Sequence, residues 1–245
     1  MDDIDYELRY VAYLDLLGFK ELVNSSVDNK SILNRINLAL DYIGKIQYDN
    51  YNGMMPMVDL GKQVTVFSDS IVISYNGLTP GGGFFVLQDL IFICISLLQN
   101  RIPVRGGVTI GSLIHNERKC FGPAMVEAYW MESEKAKVPR ILINPQVLEQ
   151  DLDRPYGTNS YEFEKAMLQS LIKEDPDDNQ IFLDYMNQHD EFNKPREYNE
   201  FIVSIKEYIE DELKQHVNEK EVYKKYEWLK WYYNQTVGAD GETIF

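Results

Sequence analysis

The chain is 245 residues long, 44% hydrophobic and 26% charged, which is ordinary for a globular protein, and its net charge is −15. That charge repels a phosphate backbone and excludes duplex nucleic acid as the expected partner. It leaves room for a nucleotide whose phosphates a divalent metal neutralises.

No apolar run is expected to span a membrane: the best one, 84–98, is short and carries Asp89. The acidic start MDDIDYELRY is unlike a signal peptide, and Cys94 and Cys120 lack metal-site spacing, so a reduced, cytoplasmic setting is expected. YVAYLDLL (10–17) is rich in β-branched and aromatic residues and predicts a buried strand, stopped by Gly18. Ile32, Leu33, Ile36, Leu38, Leu40, Ile43 and Ile46 follow helical spacing over 31–47, and DNYNGMMP (49–56) reads as a loop. KQVTVFSDSIVISYNG (62–77) is two β-rich runs around Ser68-Asp69-Ser70, hence a tight hairpin with Asp69 at its tip. Three glycines at 81–83 lead into an apolar helix. A strand at 102–116, a helix at 122–136 and a strand at 139–145 follow. The order β-α-ββ-α-β-α-β predicts an α+β fold, a ferredoxin-like antiparallel sheet with helices on one face.

Beyond 146, EDPDDN (174–179) reads as a solvated loop, IFLDYM (181–186) as a strand, and 200–217 and 220–237 as helices. The expected division is an α+β domain over residues 5–150 and a mainly helical C-terminal extension over 151–245.

Asp15 stands inside an apolar strand, where an unpaired carboxylate is costly, so a partner is expected for it. In a ferredoxin-like sheet the first strand and the hairpin are neighbours, which brings Asp15 and Asp69 to one edge. Two such carboxylates repel unless a cation lies between them, and a pair of Mg2+ or Mn2+ ions clamping a triphosphate meets that need. The amides of Leu16–Phe19, at a strand-to-helix turn, offer donors to phosphate oxygens. Read singly, Asp15 is equally a helix N-cap and Asp69 a turn residue held by its serines.

The motifs YLDLLGF, VFSDSIVIS, VRGGVTIGSLIH and FGPAMVEAYWMESEKAKVPRILI together resemble the class III nucleotidyl cyclase domain, over residues 9–143. The resemblance implies that Asp15 and Asp69 hold two metals, that the carbonyl of Leu16 adds a ligand, and that Leu17, Gly18 and Phe19 cradle the triphosphate. It implies attack of the nucleotide's 3′-hydroxyl on its own α-phosphate. It also implies a head-to-tail homodimer, because one sheet leaves the site open on a face that a second protomer closes.

At four positions the chain departs from the purine enzymes. Thr65 stands in place of a base-reading lysine and Lys119 in place of an adenylyl enzyme's aspartate. Val126 and Trp130 replace the asparagine and arginine that act on ribose and transition state. Thr65, Lys119 and Trp130 are therefore expected to line a different base pocket, with Tyr129 and Trp130 supplying bulk. The run FGPAMVEAYWMESEKAKVPRI, the RGG before it and the tail's YEWLKWYYN resemble the bacterial pyrimidine cyclases of Pycsar anti-phage systems. That implies conversion of UTP or CTP to cyclic UMP or cyclic CMP, a product read by a separate effector. A purine cyclase and a non-catalytic nucleotide-sensing or dimerisation module are the alternatives.

Arg105, before Gly106-Gly107, is the expected cation for triphosphate or transition state. Glu127 and Glu132, about 140° apart around one helix, are expected to pair with Lys135 or Arg140. His115 is expected as a hydrogen-bonded loop residue and the 81–83 glycines as slack before a helix. The aromatics of 226–234 are expected to pack against the core.

Overall fold

Successive side chains of a strand face opposite sides, and β1 (Glu7–Leu16) buries both. Tyr10, Ala12, Leu14 and Leu16 enter the main core, while Val11 joins a smaller cluster with Leu113, Ala124 and Ala128 on the other face. The structure is a computed structural model and describes residues 5–46 and 60–238. The loop expected at 49–56 lies outside the described residues.

Two helices follow β1, α1 (Phe19–Ser26) and α2 (Lys30–Ile46), and then the hairpin of β2 (Gln63–Phe67) and β3 (Ser70–Asn76). Next come α3 (Gly82–Gln99), β4 (Val104–Asn116), a short β5 (Lys119–Phe121) and α4 (Pro123–Trp130). A π-helical turn over Met131–Ala136 continues α4, and β6 (Ile141–Ile143) and α5 (Pro145–Leu152) follow. The strand order is β2-β3-β1-β4-β6, continued by β8 (Ile181–Leu183) and β7 (Ile172–Glu174), with neighbours among β2, β3, β1 and β4 antiparallel and β6 parallel to β4. Its first four members stand in the ferredoxin-like order that the sequence predicts. Helices α2 and α3 cover one face and α4 lies across β1 and β4 on the other.

The C-terminal third is mainly helical, as expected, and it also joins the sheet. It holds α6 (Tyr161–Ser170), α7 (Pro195–Gln215) and α8 (Lys220–Val237), but also β7 (Ile172–Glu174) and β8 (Ile181–Leu183), which extend the sheet beyond β6. A boundary at 150 falls inside α5, and Phe182, Tyr208, Tyr232 and Tyr233 share one core with Tyr10 and Leu90. The tail aromatics pack as expected. Tyr232 donates to Asp184 at 2.7 Å and accepts from the amide of Met186, and Trp228 donates to Asp175 at 2.7 Å. Asp175 is buried against Arg140, so EDPDDN is partly an anchor and not simply a solvated loop.

Helix α3 is long and apolar enough to cross a membrane, contrary to the expected shortness of that run, but 72% of it is buried within this fold. Its glycines are not slack. A Cβ on Gly82 would lie 2.8 Å from the Tyr10 ring, and the amide of Gly83 donates to Asp151 Oδ1 at 2.6 Å. Asp151 thereby caps α3 from α5, and burial pushes its carboxyl up to about 7.

On the opposite face Gly107 lets α4 approach β4. A Cβ there would stand 2.7 Å from the carbonyl oxygen of Ala128 and 2.5 Å from Met131 Cβ. Gly107→Ala should therefore cost at least about 2 kcal/mol in chemical denaturation. An unchanged midpoint would show that the helix shifts freely, which the packing of Ala124 and Ala128 argues against.

Candidate active site

β1 ends at Leu16, and the chain reverses at Gly18 with φ 73° and ψ 8°, a left-handed conformation that glycine adopts without a Cβ penalty. Nothing lies within 4 Å of where its Cβ would stand, so the turn presents open backbone. The amide of Leu16 donates to the carbonyl of Asp69 at 2.9 Å, which straps the hairpin tip to the end of β1. Ser68 takes φ 57° to make that tip. The amide of Leu17 donates to Pro103 O at 2.9 Å. The backbone free to act as the expected phosphate cradle is therefore narrower than the sequence suggests, because the amides of Leu16 and Leu17 are engaged by the fold. Gly18, Phe19 and the first turn of α1 are left, where N–H groups lack intrahelical acceptors. The Phe19 side chain is in the core, so only its backbone faces this site.

Asp15 has a partner, and it is Arg105, directly across β1 and β4. Arg105 Nη2 lies 3.2 Å from Asp15 Oδ2 and 2.5 Å from Glu132 Oε1. Glu132 is the residue that spacing misassigned. It is buried on the π-helical turn and pairs with Arg105, while Arg140 pairs with Asp175 and Asp178. Glu127 accepts from Thr109 at 3.0 Å and from Asn144 at 2.8 Å. The Arg105–Glu132 contact is an ion pair of poor direction, since Glu132 Oε1 and Arg105 Nε are buried with no hydrogen-bond partner.

Burial pushes the carboxyls of Asp15 and Glu132 up, Arg105 pulls both down, and Asp69 pushes both up again. One guanidinium thus stands against three carboxylates. The surplus is negative, and the donors are hard oxygens: the Asp15 and Asp69 carboxylates and the Leu16 carbonyl. That set suits Mg2+ or Mn2+, which keep positions open for substrate oxygens. Among the described residues no three histidine, cysteine, aspartate or glutamate side chains form a metal cage.

The remaining predicted site residues are spread over the same face. Thr65 shares a hydrogen bond of 2.9 Å with His115 Nε2, whose Nδ1 meets Ser74 Oγ at 2.8 Å. His115 lies within β4 and not in a loop. Burial, reinforced by Arg9, lowers its pKa to about 4, so the imidazole is neutral. Trp130 ends α4 half-exposed, with Lys135 Nζ 4.9 Å from its ring centroid. Tyr129 packs edge-on against Tyr13 at 5.3 Å, and Tyr13 OH meets Ser70 Oγ at 2.8 Å. Lys119 is exposed at the β4–β5 turn, opposite Asn116. Asn116 lies about 35 Å of strand from Arg105 at ~3.3 Å per residue, so one chain does not bring Lys119 to Asp15. Tyr6, Phe121, Val126 and Trp130 line an open apolar groove on this face.

No protein-family model and no curated protein matches the chain. Among solved structures it is similar to a bacterial light-regulated adenylyl cyclase, at 12% identity and a TM-score of 0.46, over 84% of this chain and 100% of that one. It is similar to the monomeric guanylyl cyclase domain of the RhoGC fusion protein from the aquatic fungus Blastocladiella emersonii, at 16% identity and 0.45, over 74% and 96%. A third is the adenylate/guanylate cyclase/hydrolase from Silicibacter pomeroyi, at 16% identity and 0.41, over 74% and 96%. These likenesses are distant, and the α+β assignment rests on the strand order itself.

Proposed function

We propose that this chain is a nucleotidyl cyclase that closes UTP or CTP into the 3′,5′-cyclic monophosphate and releases pyrophosphate. The observation that carries this reading is the adjacency of Asp15 at the end of β1 and Asp69 at the β2–β3 tip, beside the open Gly18 turn. Two divalent ions held by Asp15, Asp69 and the Leu16 carbonyl would supply Lewis-acid neutralisation of the triphosphate. The amides of Gly18 and Phe19 take phosphate oxygens at the start of α1. Arg105 keeps Asp15 in place and offsets part of the negative charge around it. In the reaction the 3′-oxygen bonds to the α-phosphorus while the bond to the bridging oxygen of pyrophosphate breaks. The hydroxyl proton passes to solvent.

Pyrimidine choice is supported by what lines the face. Thr65 is tied to a neutral histidine, and neither the lysine nor the aspartate that reads a purine edge is present. A site discriminates strongly only where its polar groups match the base. Lys119 can reach a base beside Asp15 only from a second copy, and exposed Phe67, Phe121, Val126 and Trp130 give such a copy an apolar seat. This supports a head-to-tail homodimer with two composite sites. The anti-phage setting, in which a separate effector reads the cyclic product, rests on the sequence resemblance.

The test is to incubate the protein with Mn2+ and each labelled nucleoside triphosphate, separate the products and sediment the active species. Cyclic UMP or cyclic CMP from a dimer is expected. Preferential cyclisation of ATP or GTP would remove the pyrimidine reading, and a monomer that turns over would remove the composite site. Binding without any cyclic product would favour a nucleotide sensor.

A further inference from the structure

A cavity of about 610 Å³ opens from Leu17 and Gly18 and is walled on its far side by α7 and α8. It joins the turn that ends β1 to residues some two hundred positions later in the chain. Among its lining cations, Arg101 is paired with Asp211 at 3.2 Å, and His216 lies 3.3 Å from Glu212 and 2.8 Å from Glu219. Arg35 and Lys225 are different. Neither makes a hydrogen bond or ion pair among the described residues, and Arg35 Nε is buried without any partner. Both are only half-exposed.

A partly desolvated cation that no carboxylate contacts is costly, and this cavity holds two such side chains. Of the carboxylates on the walls, Glu212 and Glu219 are tied to His216 and Glu21 is exposed on α1. None of these meets Arg35 or Lys225, which leaves both for an anion that enters from the Gly18 side. The field of Lys225 also reaches Asp15, which sets it within electrostatic range of the catalytic end.

Resting on the nucleotide reading above, we propose that this cavity seats the outer phosphates of the nucleoside triphosphate, with Lys225 and Arg35 as their ligands. The C-terminal helices are then the polyphosphate wall of the site. A lysine meets a phosphate as a compact charge and an arginine as a directed fork, and the two together suit a polyphosphate tail.

The test is calorimetric titration of inorganic tripolyphosphate with Mn2+ into the wild type, Lys225→Gln and Lys225→Arg, beside thermal melts of all three. Lys225→Gln should weaken binding by about tenfold or more at an unchanged melting temperature, and Lys225→Arg should recover most of it. In turnover assays the same substitution should raise the KM for the nucleotide by a similar factor. Equal binding by wild type and Lys225→Gln would overturn the assignment, as would a wild type that cyclises nucleotides without binding tripolyphosphate. Either leaves the cyclase reading standing. Absence of both binding and product in the wild type would remove the two together. Arg35→Gln is the second variant, and a loss there alone would move the seat away from α8 and overturn the role given to Lys225.

Discussion

Asp15→Asn and Asp69→Asn should each lower cyclic nucleotide formation by at least about a thousandfold, roughly 4 kcal/mol of transition-state stabilisation, while the metal-free protein melts no earlier than the wild type. Both parts follow from one feature of the site. In the proposed reading the two carboxylates are the hard metal donors, so removing either charge would remove a metal position. They also stand in a cluster with more negative than positive charge, where burial and Asp69 hold the Asp15 carboxyl above its usual range. Replacing a buried charge that repels its neighbours relieves the fold. Stability gained at the expense of function is a common property of active sites. Product assays and melting curves on the same preparations check both halves. Product within tenfold of wild type from Asp15→Asn would sink the two-carboxylate site.

The parts of this site that local pattern can carry were legible in the sequence. An apolar strand with one aspartate, and a β-turn-β pattern with another at its tip, need only residue order and alternation. The ferredoxin-like order then follows from how hairpins and crossovers connect. Glu132 was not legible in the same way. Spacing from Glu127 rightly separates the two around a helix, but says nothing of a strand lying across it. Two non-local facts decide the partner of Glu132. Gly107 lets the helix close on β4, and the helix loosens to a π turn from Met131, a feature that recurs at functional sites.

The tail was legible in part. Strand β8 stands within the strand read at 181–186, and α7 and α8 fall on the expected helices. Strand β7 has three residues, too few for alternation to register, and exists because β8 is there to pair with it. Lys225 has no local signal at all. It sits in KKYEWLKW, a stretch that reads as an ordinary amphipathic helix, and only the packing of α8 places it on the cavity that Gly18 also lines.

Arg105→Ala should make folding depend on a divalent metal. In the wild type this guanidinium is the cation that faces Asp15 and Glu132, and removing one partner of a buried pair costs ~3 kcal/mol or more because the remaining charges stay desolvated. The variant should therefore melt well below the wild type without metal and recover most of the difference with excess Mn2+, since a ligand that binds only the native state stabilises it by mass action. The pH dependence has a definite sign. The carboxyls of Asp15 and Glu132 are raised by folding, so between their unfolded and folded values the native state holds more protons than the unfolded one. Stability contributed by this cluster is then greatest at low pH and falls as pH rises through that window. Without Arg105 to pull them down, both carboxyls rise further, and the decline should be steeper and extend to higher pH in the variant. Melting curves from about pH 5 to 8, with and without Mn2+, read this directly. If metal-free Arg105→Ala melts like the wild type at the upper end of that range, the three carboxylates are not crowded enough to need a cation, and the argument for a metal between Asp15 and Asp69 loses its physical basis.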